Sequence, residues 1–266
     1  MPSLSAAPVL TSPLPALSVP DPEALAMPLS SGFASPEALS DAEVSPSYVL
    51  TSTLEGLAEV LSPSYNLVIW QRVLPPEVQA ALHGLVEQHA SFNRQVTGLR
   101  VEHPETGWQE PLLRGLPISE EVRAWLESDL SRLRQHFQGL VQSSTNASLS
   151  LLAHDACRQL HYDYLRLRLI VTYAGPGTEW LSEDGVDRAA LESRWSKAEK
   201  ANAHIAREGA LRQAQTGEVL LLKGAAWPGN SARGVVHRSP PIQALGLKRL
   251  VYKLDTPFEP HCREDR

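Results

Sequence analysis

Apolar and polar positions change their rhythm three times along the chain. From Met1 to about Ser47 the residues are mostly Pro, Ser, Ala and Leu with scattered acids, and no apolar period of 2 or 3.6 outlasts one turn. Residues 1–47 are therefore expected to form a disordered arm, with order beginning near Thr51. Asn66 to Arg72 (NLVIWQR) reads as a short strand that puts Val68 and Trp70 on one face. Pro75 and Pro76 suit a helix start, after which Val78, Leu82, Leu85, Val86 and His89 fall on one stripe up to Ala90.

The second rhythm is a longer helix. Ser119 is its N-cap, Glu120 and Glu121 favour the positive helix end, and Val122, Trp125, Leu126, Leu130, Leu133, Phe137, Leu140 and Val141 form an apolar face for a sheet. Beyond Ser144 the texture becomes β-branched, aromatic and alternating. Strands are predicted in Ser148 to Ala153, Leu165 to Tyr173, Glu218 to Lys223, Gly234 to His237 and Arg249 to Leu254. Ser182 to Gln215 interrupts them with Leu191, Trp195, Ala198 and Ile205 at helical spacing, which predicts one inserted helix whose charges form a solvated face rather than a lid. The predicted class is α+β, with one domain over 48–258 and a flexible tail over 259–266.

Composition narrows the function classes. A formal charge of -6 with no Lys/Arg cluster argues against a nucleic-acid partner, because phosphate binding draws on clustered cations. No apolar run approaches the roughly 20 residues of a membrane helix, and Met1 to Leu10 lacks the basic start of a secretory signal. The two cysteines, Cys157 and Cys262, are too far apart in sequence to suggest a disulfide framework. A cytoplasmic protein without nucleic-acid or membrane partners is expected.

The candidate chemistry sits in Cys157-Arg-Gln-Leu-His161-Tyr162-Asp163-Tyr164. Two side chains one residue apart on extended backbone point to the same side, so His161 and Asp163 can share a metal. A histidine beside an acid on a strand is also commonly a surface hydrogen-bonded pair. A distant histidine would complete a 2-His-1-carboxylate triad with open coordination positions. His237, in Val235-Val236-His237-Arg238-Ser239-Pro240-Pro241, lies 74 residues after Asp163 and follows a predicted strand.

The succession HYD, TYAGPGTEW, GEVLLLKG, VVHRSPP and GLKRLVYKLD resembles the double-stranded β-helix of the iron(II)- and 2-oxoglutarate-dependent oxygenases over roughly Leu149 to Asp255. The runs DACRQLHYDYLRLRLIVTYAGPGTEWL and LLKGAAWPGNSARGVVHRSPP are similar, over most of the ordered chain, to a bacterial domain-of-unknown-function family. The resemblance implies a cupin-like jelly roll with flanking N-terminal helices, iron(II) on His161, Asp163 and His237, and 2-oxoglutarate as co-substrate. It implies that a basic residue on the last strand pairs with the distal carboxylate of 2-oxoglutarate, for which the Arg249 fork suits best. Lys248, on the opposite side of that strand, and Tyr173 are further cofactor candidates. Tyr162, Tyr164, Arg166, Arg168, Glu179 and Trp180 are candidates for substrate contact at the barrel mouth, or for packing on its exterior.

Two rival classes remain at the level of sequence. His154, Cys157 and His161 follow an H-x2-C-x3-H spacing with Asp155 nearby, which points to a zinc-binding protein. A jelly roll of cupin type that holds a metal or ligand without catalysis is the other, since fold does not fix function. His261 and Cys262 near the end are weaker soft ligands. A hydrolase triad lacks support: Cys157 has only Arg158 as a basic neighbour, and Ser239 lies outside any G-x-S-x-G elbow.

Overall fold

A computed structural model describes residues 47–101, 107–231 and 233–257. The chain enters through β1 (Tyr48–Thr51), a 3-10 turn (Glu55–Leu61) and β2 (Leu67–Trp70), then forms α1 (Pro76–Gln88), β3 (Phe92–Leu99), α2 (Glu110–Leu113) and α3 (Glu120–Val141). β4 (Thr145–Leu152), β5 (Leu167–Ala174) and β6 (Glu179–Trp180) follow. The insertion carries α4 (Arg188–Glu192), α5 (Ala198–Ile205) and β7 (Arg212–Gln213), after which β8 (Val219–Lys223), β9 (His237–Arg238) and β10 (Arg249–Asp255) complete the fold.

Seven strands make one sheet in the order β1-β2-β8-β5-β10-β4-β3, with every neighbouring pair antiparallel except β1 and β2. A small sheet, β7-β6-β9, makes the second wall. This is the α+β jelly roll with helices before it that the sequence predicts.

Residue parity assigns each side chain of the large sheet to one of its two faces. One set includes Val68, Trp70, Leu149, Leu151, Leu169, Val171, Leu250 and Tyr252, and it packs with Val78, Leu82, Leu126, Leu130, Leu133 and Phe137 of α1 and α3. The alternate set, Leu67, Ile69, Ile170, Leu220, Leu222 and Val251, meets Trp180, Ala214 and Val235 on the other side. α3 begins where the sequence places it, with the Ser119 hydroxyl accepting a hydrogen bond from the Val122 amide at 3.3 Å. Its buried Asp129 receives both Arg72 Nη1 (2.6 Å) and Nη2 (2.8 Å) from just beyond β2 and the Tyr173 hydroxyl (2.6 Å) from β5. A buried carboxylate is tolerable only with such partners, and here they pin the helix to the sheet.

Several expectations need correction. Order begins earlier than Thr51, because β1 starts at Tyr48 and pairs with β2. β3 was not predicted from the sequence pattern. The predicted single helix over Ser182 to Gln215 is two short helices with a 3-10 turn before them and a strand after. Strand Gly234 to His237 is paired only at its end, as β9. His89 caps α1, its amide donating to the Leu85 carbonyl at 2.9 Å. The predicted arm, but for Ser47, and the tail over 259–266 with His261 and Cys262 lie outside the described residues.

Candidate metal centre

His161 and His237 are brought together by the backbone before their side chains meet. The His161 amide donates to the His237 carbonyl at 3.1 Å and the His237 amide donates to the His161 carbonyl at 2.9 Å, an isolated antiparallel bridge. On its other side His237 pairs with Trp180 of β6. The rings consequently lie 4.7 Å apart between centroids at 47°.

Asp163 arrives from the segment just after His161. Its backbone carbonyl accepts from the Ala225 amide at 2.8 Å, and this approach depends on Gly224, where a Cβ would lie 2.7 Å from that carbonyl oxygen and 2.1 Å from the Leu165 carbonyl. Its Oδ2 lies 3.4 Å from His237 Nε2, and its Oδ1 lies 4.0 Å from His161 Nε2. One ligand atom from each of the three residues falls within 4.8 Å of the others, and among the described residues this is the group able to gather around a metal.

The donor set suits a divalent first-row metal. His161 Nδ1 donates to the Gln159 carbonyl at 2.9 Å, and His237 Nδ1 donates to the Val235 carbonyl at 3.0 Å. A carbonyl can only accept, so each bond places the proton on Nδ1 and leaves the Nε2 lone pair free to coordinate. Two such nitrogens and one carboxylate oxygen form the facial triad of non-haem iron sites, with positions left for other ligands.

Electrostatics support the same assignment. Burial pushes the His237 imidazole down to about 4, which keeps it neutral. Burial alone would raise the Asp163 carboxyl, but the charges of His237, Arg168 and His161 hold it below its usual range. Burial works against charge on His161 as well, yet its hydrogen bond with Cys157 and the charge of Asp163 raise it. Arg168 Nη1 donates to Asp163 Oδ2 at 2.7 Å while its Nε and Nη2 grip Asp255 at 2.6 and 2.9 Å. Arg168 thus orients the carboxylate from behind.

A cavity of about 300 Å³ opens onto His161 and His237 and reaches Arg249 on β10. Arg249 is 2% exposed, and its Nη2 donates to the hydroxyls of Thr172 (2.9 Å) and Thr178 (3.0 Å). Its Nε is buried without a hydrogen-bond partner, and burial lowers the guanidinium pKa to about 10. Gly175, at φ +81°, permits this position because a Cβ there would lie 2.1 Å from the Lys248 carbonyl. The charge of Glu179 offsets part of the cost of burying this cation, but its hydrogen-bond partners are neutral, and an anion placed against it would offset more.

The remaining candidates are placed elsewhere. Lys248 donates to the Glu87 and His89 carbonyls (3.3 and 2.9 Å) at the end of α1. Tyr173 is fully buried on the helix side of β5, bonded to Asp129. Tyr162 donates to Glu192 at 2.6 Å and packs near Tyr164 at 5.4 Å between ring centroids. Glu179 accepts from Arg238 Nε at 2.6 Å, Trp180 packs edge-on against Tyr48, and the Arg166 guanidinium lies over the Trp227 ring. Of the substrate candidates, Arg168 lines the cavity. His154 and Cys157 line it too, without completing a second ligand cluster among the described residues.

Sequence reasoning passed over Asn202. From α5 its side chain accepts the Leu160 amide at 2.7 Å and donates to the Arg158 carbonyl at 2.9 Å, while Ala201 and Ile205 pack with Leu160 and Val236. The insertion thereby braces both metal-bearing segments. An Asn in a charged helical stretch carries no pattern that would have flagged it.

No curated protein matches the sequence. Among solved structures, the chain is similar to a rice dioxygenase for auxin oxidation (13% identity, 71% of this chain and 72% of that one, TM-score 0.42). It is also similar to AtDAO1, dioxygenase for auxin oxidation 1 from Arabidopsis thaliana, solved with 2-oxoglutarate (9%, 80% and 92%, TM-score 0.44). A third is a Pseudomonas putida prolyl-4-hydroxylase (9%, 76% and 97%, TM-score 0.40). These likenesses are of fold. Residues 51–255 match the family model described as protein of unknown function (DUF1826), and the chain belongs to that family.

Proposed function

We propose that this protein is an iron(II)- and 2-oxoglutarate-dependent oxygenase, a hydroxylase in the broad sense. The observation that carries the reading is one cavity that reaches two features: the His161, Asp163, His237 triad, through His161 and His237, and a buried Arg249 whose hydrogen-bond partners among the described residues are threonine hydroxyls.

Iron(II) held there would supply oxygen activation coupled to oxidative decarboxylation of the keto acid. The chain's own contributions are positional. His237 presents a neutral nitrogen, His161 directs its Nε2 side to the same point with Nδ1 held by the Gln159 carbonyl, and Asp163 brings the one negative charge, kept ionised and aimed by Arg168. Arg249 offers a charge-assisted contact to the far carboxylate of the keto acid, with Thr172 and Thr178 fixing the plane of its fork. The apolar side chains of Ile170 and Val251 line the same cavity and exclude water from the reacting groups.

The test is anaerobic loading with iron(II), followed by measurement of succinate released from 2-oxoglutarate on admitting oxygen. The wild-type protein should bind one iron and release succinate, and His161→Ala should do neither. Tight binding of zinc by the wild type with no 2-oxoglutarate binding and no succinate would replace this reading with a metal-binding role.

A further inference from the structure

The cavity extends past the metal triad and Arg249 to a second polar end. On β10, residues 249, 251 and 253 share one face, and all three line the cavity. Arg249 is at the closed end, and Lys253 lies four residues further on, about 13 Å along the strand at ~3.3 Å per residue. Opposite Val251 on β4 is Ser150, and opposite Ser150 on β3 is Asn93. The wall at this end is thus built of a lysine, a hydroxyl and an amide, whereas the far half of the same sheet face carries Leu67, Ile69, Leu220 and Leu222 beneath the small sheet.

These polar groups have hydrogen-bonding capacity to spare. Ser150 Oγ donates to Asn93 Oδ1 at 2.8 Å, which orients the amide and leaves its two N–H donors unengaged within the described residues. The Lys253 ammonium, half-buried on a cavity wall, acts on Asp163 and Cys157 through its charge but has no hydrogen bond or ion pair of its own among the described residues. Arg168, the other cation on this face, is committed to Asp163 and Asp255.

We infer that Lys253 and the Asn93 amide, the latter oriented by Ser150, form the subsite for a carboxylate group of the primary substrate, separate from the place of the keto acid at Arg249. This rests on the oxygenase reading only for the assignment of Arg249. A monoanion suits the subsite better than a phosphate dianion, since one ammonium and one amide are available there, and among the described residues the nearby guanidinium groups of Arg168 and Arg238 are committed to carboxylates. The cavity volume lies at the small end of the range for ligand sites, so the substrate is a small organic acid or the acidic end of a larger molecule entering past the exposed edge strand β3.

The experiment uses the full chain loaded with nickel(II) and saturated with 2-oxoglutarate, so that no turnover occurs. Pentanoate, 4-hydroxybutanoate and N-acetylglycine are titrated, each against its primary amide, with binding read by ligand-observed NMR. 2-Oxoglutarate binding is measured separately by calorimetry. At least one carboxylate should bind about tenfold or more tightly than its amide, a charge-assisted hydrogen bond being of that size. Lys253→Met should abolish this preference with 2-oxoglutarate binding unchanged, and Lys253→Arg should restore it. Equal binding of acids and amides, or binding of none, overturns the subsite, as does loss of 2-oxoglutarate binding in Lys253→Met with its retention in Arg249→Met. Carboxylate binding that depends on Lys253 in a protein that ignores 2-oxoglutarate would instead retain the subsite and remove the oxygenase reading.

Discussion

The amide of His161 and the carbonyl of His237, and the reverse pair, are hydrogen bonded to one another at 3.1 and 2.9 Å, so the two imidazoles are in register before any ion arrives. Preorganisation of this kind removes ordering cost from metal binding. It also makes the backbone around residues 158–161 a control point, and Asn202 holds that backbone from outside.

Asn202→Ala should therefore weaken metal binding about 10- to 100-fold, the range usual for loss of a supporting contact. Asn202→Asp, which keeps the acceptor for the Leu160 amide, should recover much of it. Competition titration with a chromogenic chelator reads the affinity. A variant that loses thermal stability yet binds metal as the wild type does would assign Asn202 a purely structural role.

Arg249→Met should leave metal stoichiometry at one and weaken 2-oxoglutarate binding by about 10- to 100-fold, as expected for a charge-assisted hydrogen bond of ~1.5–3 kcal/mol. Calorimetry on the metal-loaded protein measures both. Lys248→Met changes only the end of α1 and should leave 2-oxoglutarate binding as it was.

Asp129→Ala strips Arg72 and Tyr173 of their shared acceptor and leaves a guanidinium buried, which should cost about 3–5 kcal/mol in urea unfolding. Metal affinity should survive wherever the variant is folded, because this network lies on the helix side of the sheet.

The metal-free protein should lose stability on acidification between about pH 6.5 and 4. In that window the unfolded chain takes up a proton at residue 237 that the folded state, with its imidazole pushed down to about 4, refuses. The unfolded state binds more protons there, so stability falls as pH falls. The contribution is of order 3 kcal/mol at about 1.4 kcal/mol per pKa unit. His161, raised in the folded state, contributes with the opposite sign, so the difference between wild type and His237→Gln across this range isolates residue 237. A difference that does not change with pH would contradict the assignment.

The sequence pattern was informative wherever burial imposed a period. The stripe of α3, the alternation in β4 and the apolar runs of β5, β8 and β10 are legible because each buries at least one face. The pairing of His161 with Asp163 is legible from their one-residue spacing, whereas His237 is reached only through the order of motifs that resembles the oxygenases. β3 escaped notice because Asn93, Arg94 and Gln95 look like loop residues, although they alternate in exposure on an edge strand. Parity along β5 excludes Tyr173 from the site: Arg168 and Ile170 line the cavity and Thr172 holds Arg249, whereas Leu169, Val171 and Tyr173 pack among the helices. The insertion was misread because Leu191 and Ile205 do belong to one apolar cluster, but from two helices rather than one.

The alternation along β10 means that neighbouring residues answer to different pressures. Leu250, Tyr252 and Leu254 are anchored among the helices, whereas Arg249, Val251 and Lys253 face whatever enters the cavity. A lineage could exchange residues 251 and 253, keeping Arg249 for the keto acid, and acquire a new ligand preference while its margin against unfolding stayed where it was. Divergence within the family should accordingly be found at a two-residue interval, with the intervening positions held to bulky apolar types.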